Sequence, residues 1–144
     1  MSLGATAFAI VVVFQASSQS PEEVKKLIAQ LSDKDIIVRV AAATRLIEAG
    51  PAVIPEVKAA AANANKSDVP AFSHLLYELE IRQEIDKLMA DFDSPIFKVR
   101  KQVEAELESL SIRAIPALNR TMQSDDLSVR MRAEALLKKI SQGK

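Results

Sequence analysis

DIIVR at residues 35–39 returns as DLSVR at residues 126–130, and the related stretch FKVR lies between them at residues 97–100. The Val residues of these stretches, Val38, Val99 and Val129, are 61 and 30 positions apart, and Val69 falls in the gap at offsets of 31 and 30. A fixed period of about 30 residues is the signature of stacked-repeat proteins, in which each unit buries its apolar face against the next. The spacing therefore predicts about four similar units.

The apolar spacing within each unit predicts a pair of helices. Val24, Leu27 and Leu31 recur at the i, i+3 and i+7 positions of one helix face, and Ser20 before Pro21 is typical of a helix start. Further helices are predicted over about 35–49, 52–63, 113–123 and 126–141, and another starts at the turn of residues 93–95. Residues 69–92 have no Gly or Pro after Pro70, so one helix and two helices both remain open there.

The composition predicts an all-α domain with one continuous aliphatic core. Apolar residues make up 49% of the 144 residues, but there are only five Phe, one Tyr and no Trp. Aliphatic side chains suit close helix-on-helix packing. The formal net charge is zero, so the chain lacks the positive field of a nucleic-acid binder, and no nucleic-acid partner is expected.

The pattern Asp-x-x-Val-Arg, followed by a Leu-rich helix end, a short turn and an Ile-Pro pair, resembles the HEAT repeat. Its short period is similar to the HEAT-like repeats first named for phycobilisome lyases. The resemblance covers about residues 21–141 and implies a right-handed α-solenoid, an α-α superhelix of about four two-helix repeats, that acts as a protein-interaction scaffold. The chain then divides into an N-terminal segment, 1–20, and a HEAT-like repeat domain, 21–144.

The resemblance also implies structural roles for the repeated positions. In the family, the Arg after the Val usually bonds an Asp of a neighbouring turn, and the Pro of the Ile-Pro pair stands in the first turn of its helix. The second unit departs from the pattern, because Pro70 follows Val69 where Arg is expected. The positions expected to be structural are Asp35, Val38, Arg39, Pro55, Val99, Arg100, Pro116, Asp126, Val129 and Arg130.

One predicted helix, 35–49, is apolar on two sides. The outward positions of the third unit are Lys98, Lys101, Glu104 and Glu108, whereas those of the first unit are Ile37, Val40, Ala43 and Ile47. A helix that is apolar all round is normally covered by something, so we interpret these four residues as a protein-binding surface. The cover would be a partner protein, a second copy of the chain or residues 1–20. The alternative is a rotated helix whose four residues are ordinary core.

The first twenty residues carry no charged side chain, and an apolar run extends from Leu3 to Phe14. Twelve residues are too few to span a hydrocarbon core of about 30 Å as a helix. They have the length of a signal-peptide core, and Ala16 and Ser18 provide the small residues of a cleavage site, but no basic residue precedes the run. We interpret the segment as a bacterial signal peptide, which predicts a periplasmic or secreted protein. A membrane anchor, and a segment packed on the domain of a cytoplasmic protein, are the alternatives.

The sequence predicts a protein that is not an enzyme and that uses no metal or cofactor. It has no Cys and one His, His74, and it lacks a nucleophile-elbow motif and a Gly-rich phosphate loop. Glu104, Glu106 and Glu108 alternate along a helix and so do not form a paired acid–base site. The alternative function is a lyase- or DNA-glycosylase-like subunit that handles a tetrapyrrole or a nucleic acid, as some HEAT-like proteins do.

Overall fold

A computed structural model describes residues 19–143, so the predictions for residues 1–18 lie outside the described part of the chain. The described residues form helices and no strands, which confirms the all-α prediction. Ser20 caps the first helix as predicted, since its Oγ accepts the backbone N–H of Glu23 at 3.2 Å. The helices are α1 Pro21–Gln30, α2 Ile36–Ala49, α3 Ile54–Ala62, α4 Val69–Ala90, α5 Phe97–Leu110, α6 Ile115–Thr121 and α7 Leu127–Gln142, with short 3-10 helices Pro51–Val53 before α3 and Ser111–Ala114 before α6.

The long helix α4 resolves the question left open for residues 69–92. It is one continuous helix, so it serves both as the second helix of the second unit and as the first helix of the third. The second and third predicted helix pairs therefore share α4. Residues 19–143 contain seven α-helices, whereas four separate pairs would need eight. No residue between Pro70 and Ala90 interrupts the backbone hydrogen bonds, which is why the two predicted helices are fused.

The apolar core is divided in two, so the prediction of one continuous core is wrong. One cluster of buried residues runs from Val24 to Leu79 and the other from Ile85 to Ile140. Polar residues occupy most of the α4 segment between them, which we call the waist, residues 80–84. Because a helix advances by about 100° per residue, Leu79 and Ile85 lie about 120° apart around α4. The two halves of α4 thus bury different faces against different partners.

Two details of the repeat register differ from the prediction. Val69 is the first residue of α4 and is 45% exposed, so it is not equivalent to Val38, Val99 and Val129, which stand three residues after their N-caps. Helix α5 begins at Phe97 rather than at residues 93–95, and its N-cap, Ile96, makes no side-chain cap. The spacing of 31 and 30 around Val69 therefore overstates the regularity of the second unit.

Helices α2 and α5 end in the same way, at residues 61 positions apart. Gly50 follows α2 with φ 84° and ψ −168°, and Ser111 follows α5 with φ 53° and ψ −129°. The φ of Gly50 is positive, but its ψ lies outside the left-handed helical region. A positive φ is easily adopted by Gly and costs a residue with a Cβ of the order of 1–3 kcal/mol. Ser111 therefore stores strain where Gly50 does not.

Replacing Ser111 by Gly is expected to raise the free energy of unfolding by about 1 kcal/mol, because Gly removes the strain at the end of α5. The matched change, Gly50→Ser, is expected to lower it by a similar amount. A Cβ at Gly50 would meet only the Arg82 guanidinium, at 4.0 Å, so backbone conformation rather than a clash decides the result. Urea unfolding of both variants tests this, and equal effects of the same sign would contradict it.

Candidate functional site

The same turn precedes α2, α5 and α7. At the start of each turn a short polar side chain accepts the backbone N–H two residues later: Asp33 from Asp35 at 2.8 Å, Ser94 from Ile96 at 3.3 Å, and Ser124 from Asp126 at 3.2 Å. Side chains that bond the backbone two residues on are a common way to stabilise a turn. The repeat is therefore present in hydrogen bonds as well as in sequence.

An Arg side chain closes each of these turns. Nη1 of Arg39 donates to the backbone oxygen of Asp33 at 2.7 Å, and Arg100 and Arg130 donate to the equivalent oxygens of Ser94 and Ser124 at 2.7 and 2.6 Å. The acceptor six residues earlier is a backbone carbonyl, and it belongs to an Asp only for Arg39, whereas the family resemblance implies an Asp of a neighbouring turn in each unit. These guanidinium groups are thus engaged within their own units.

The helix caps account for the repeated Asp. Oδ1 of Asp35 accepts the N–H of Ile37 at 2.8 Å, and Oδ1 of Asp126 accepts the N–H groups of Ser128 and Val129 at 2.7 and 3.2 Å. Such caps satisfy N–H groups that have no partner inside the helix. The hydrogen bond from the Ser128 side chain, followed by those from the backbone of Val129 and Ser128, lowers the pKa of Asp126 below its ordinary value of 3.8.

This lowered pKa predicts a loss of stability in acid. A carboxyl whose pKa is lower in the folded chain stabilises the fold above its unfolded pKa, and that contribution disappears as the pH falls through its folded pKa. We therefore expect the free energy of unfolding to decrease below about pH 4, and to decrease less in Asp126→Asn. Urea unfolding from pH 7 to pH 2 measures this. Asp125→Asn is the control, because the Asp125 side chain accepts no hydrogen bond within residues 19–143, and an equal effect of both variants would contradict the assignment.

The other repeat positions lie at helix starts or beside the core. Pro55 and Pro116 are each the second residue of their helix, α3 and α6, where a missing N–H costs little. Val129 is buried, while Val38 and Val99 are half-buried. These contacts are all internal to the fold, so they leave the outward faces of the helices as the place to look for a site.

The outward face of α2 is apolar and exposed. Ile37 is 74% exposed and Val40 is 59% exposed, and the preceding Ile36, which the sequence analysis did not single out, is 63% exposed. Ala43 and Ile47 do not share this face, since both are half-buried and pack against the first core cluster. We define the α2 face as the outward residues of the first half of the helix, Ile36, Ile37, Val40, Ala41 and Thr44, all of which are exposed; the exposed Glu48 follows them on the same stripe at the end of the helix.

Helix geometry explains why only two of the four predicted surface residues lie on the exposed face of α2. Positions 37, 40, 41 and 44 follow the i, i+3, i+4 and i+7 spacing of one stripe. Ala43 and Ile47 lie at its edge, on the side that meets the core, although their spacing from Val40 makes them look like members of the same stripe. Helical angles about the core residues Ala42 and Leu46 place Thr44 outward and Ala43 toward the core, but they place Ala41 and Ile47 symmetrically, so only the structure distinguishes those two.

The equivalent face of α5 carries charge, whereas that of α7 is mixed, with Ser128 at the position that matches Ile37. Lys98 and Lys101 occupy the α5 positions that match Ile37 and Val40, and Met131 is the α7 residue that matches Val40. The exposed ring of Phe97 lies under two cations, with Arg100 Cζ at 5.7 Å and Lys101 Nζ at 5.8 Å from its centre. The α2 face contains no charged residue, which sets it apart from the same surface of α5.

Comparison with protein-family models, curated proteins and solved structures found no match for this chain. The HEAT-like interpretation thus rests on the repeat within the chain itself. Over residues 19–143, no helix is long and apolar enough to cross a membrane. The same part of the chain has no group of three or more His, Asp or Glu side chains that could hold a metal ion, and His74 is exposed on α4.

Proposed function

We propose that this domain is a non-catalytic protein-interaction module built from HEAT-like helix pairs, and that its docking surface is the α2 face. The observation that carries the proposal is a run of two helical turns whose exposed side chains include three large aliphatic groups and no charge. The register-equivalent positions of α5 show that Lys is compatible with this surface of the fold. Apolar residues at such positions favour an apolar segment of another protein as the partner.

The packing of the helices supports the proposed architecture. Helix α1 contacts α3, α2 contacts α4, and α5 contacts α7, so helices of the same rank in consecutive units lie side by side. Each unit also pairs its own two helices, as α1 with α2 and α6 with α7. Both features are expected of stacked helix pairs, and we propose the right-handed α-solenoid of HEAT-like proteins as the arrangement.

We also propose that a bacterium exports the protein to the periplasm or the medium, on the strength of the apolar, uncharged residues 1–20. The mature chain would then begin near Gln19, two residues before α1. Intact mass measurement of the protein from its natural source tests this. A protein that retains Met1–Ser18 would contradict export by cleavage and favour the cytoplasm.

Replacing Val40 by Lys is expected to abolish partner binding and to leave the fold intact. A Lys on the α2 face would have to lose its hydration in any apolar interface, whereas Lys101 already occupies the equivalent position of α5 without harm to the helix. The measurement is affinity capture from the native host with wild type, Val40→Lys and Met131→Lys, each checked by circular dichroism.

Met131→Lys is the matched control, because Met131 is the equivalent residue of α7 and is also exposed. We expect it to retain the proteins that wild type retains. Equal capture by all three proteins would contradict a docking role for the α2 face. Light scattering on the same samples identifies self-association, since a second copy as partner would appear as a dimer that Val40→Lys abolishes.

A further inference from the structure

We infer that the domain consists of two separately cooperative halves that share α4, so that either half can unfold while the other remains folded. The first half comprises α1–α3 with α4 up to Leu79, and the second comprises α4 from Ile85 with α5–α7. This inference concerns the cooperativity of the fold and does not depend on the proposed docking function. It is carried by the packing, by the chemistry of the waist and by the groove beside it.

The main helix contacts of the two halves meet along α4. Helix α1 packs on α2 and α3, which both contact α4, and α7 packs on α5 and α6, which both contact the same helix. The buried residues of the two clusters are different sets, and the fully buried leucines Leu46 and Leu107 belong to separate clusters. Because burial of apolar surface is the main source of cooperativity, separate clusters favour separate transitions.

The contacts that cross the waist are polar. The guanidinium of Arg82 donates to the carbonyl oxygens of Ile47 and Glu48 at the end of α2. Arg113 Nη2 lies 3.2 Å from Glu78 Oε1, and this hydrogen bond raises the pKa of Arg113. The Arg113–Glu78 ion pair is open to water and contributes little to stability, and the Arg82 bonds hold the waist to α2 rather than to the second half.

An open groove of about 290 Å³ lies beside the waist. Ile47, Ile81 and Ile85 line it from the two sides, with Arg82 and Arg113 at its rim. This open groove interrupts the apolar packing between Ile47 of the first half and Ile81 and Ile85 on the other side. Unfolding of one half would therefore remove few apolar contacts from its neighbour.

The test is hydrogen exchange of the full chain, followed by mass spectrometry, in wild type and in the matched variants Leu46→Ala and Leu107→Ala. The two leucines are 61 positions apart, and both are completely buried. Loss of a buried Leu side chain is expected to speed exchange on the order of 100-fold where it destabilises the fold. We expect Leu46→Ala to accelerate exchange in α1–α3 and in α4 up to Leu79, and Leu107→Ala to accelerate it in α5–α7 and in α4 from Ile85, each without effect on the other half.

An equal acceleration of all helices by either variant would overturn the inference, because it would mean that the chain unfolds as one unit. If one of the variants fails to fold, exchange of wild type at increasing urea concentrations decides the matter without any substitution. Two groups of amides that open at different urea concentrations, divided at the waist, would support two units. One common opening transition across α1 to α7 would overturn them.

Discussion

Replacing Gln83 by Pro is expected to lower the free energy of unfolding by about 3 kcal/mol or more. Gln83 is an exposed residue in the interior of α4 and belongs to the waist. Pro has no N–H to bond the carbonyl of Leu79, four residues earlier, and its ring collides with that carbonyl. The cost arises from the continuity of α4, since the side chain of Gln83 is outside both core clusters.

The control for this change is Gln83→Ala, which keeps the N–H and has a high helix propensity, so its effect should stay within about 0.5 kcal/mol. The measurement is equilibrium unfolding in urea, followed by far-ultraviolet circular dichroism. Pro70, at the second position of α4, shows that the same residue is tolerated where the helix begins. A loss below about 1 kcal/mol for Gln83→Pro would mean that α4 is divided into two helices.

Replacing Arg130 by Met is expected to cost about 2 kcal/mol, the value of hydrogen bonds that involve a charged group. Arg130 Nη1 donates to the backbone oxygens of Ser124 and Asp125 at 2.6 and 3.3 Å. Met preserves the apolar stem of the side chain, so the loss should report the hydrogen bonds rather than the packing. Thermal and urea unfolding measure the effect.

Two comparisons make this prediction specific. Arg39→Met should cost nearly as much, because Arg39 bonds Asp33 and Lys34 with the same geometry. Arg120→Met should change stability by less than about 0.5 kcal/mol, since Arg120 is exposed and its side chain makes no ion pair or hydrogen bond within residues 19–143. If Arg39→Met and Arg120→Met had equal effects, the Arg of the repeat would have no special part in its turn.

Features that depend on neighbours in the sequence could be predicted from it. Short-range spacing predicts the helix that contains Val24 and Leu27. The preference of Ser for the position before a helix predicts its Ser20 cap. The local pattern also identified Ile37 and Val40 as apolar residues at positions where α5 has lysines, and both are exposed.

Features that depend on where a helix faces could not be predicted in the same way. The apolar stripe of α4 changes sides between Leu79 and Ile85, and this pattern fits two helices equally well as one helix with partners on two sides. The division of the core follows from that change of side and was missed with it. For the same reason the sequence places Ala43 and Ile47 on the outward surface, because the rotation of α2 is set by its contacts with α1 and α4.

The shared helix α4 fixes the rotation of the second half relative to the first as well as the distance between them. Each residue of an α-helix adds about 1.5 Å of rise and about 100° of rotation. One residue inserted or deleted within the waist would therefore turn the second half by more than a quarter of a revolution about α4. The residues that line the groove beside the waist would then no longer face one another. Elsewhere in the chain a loop can absorb such a change, as between α3 and α4 at residues 63–68. The waist is thus the place where the chain can evolve by substitution but not by a change in length.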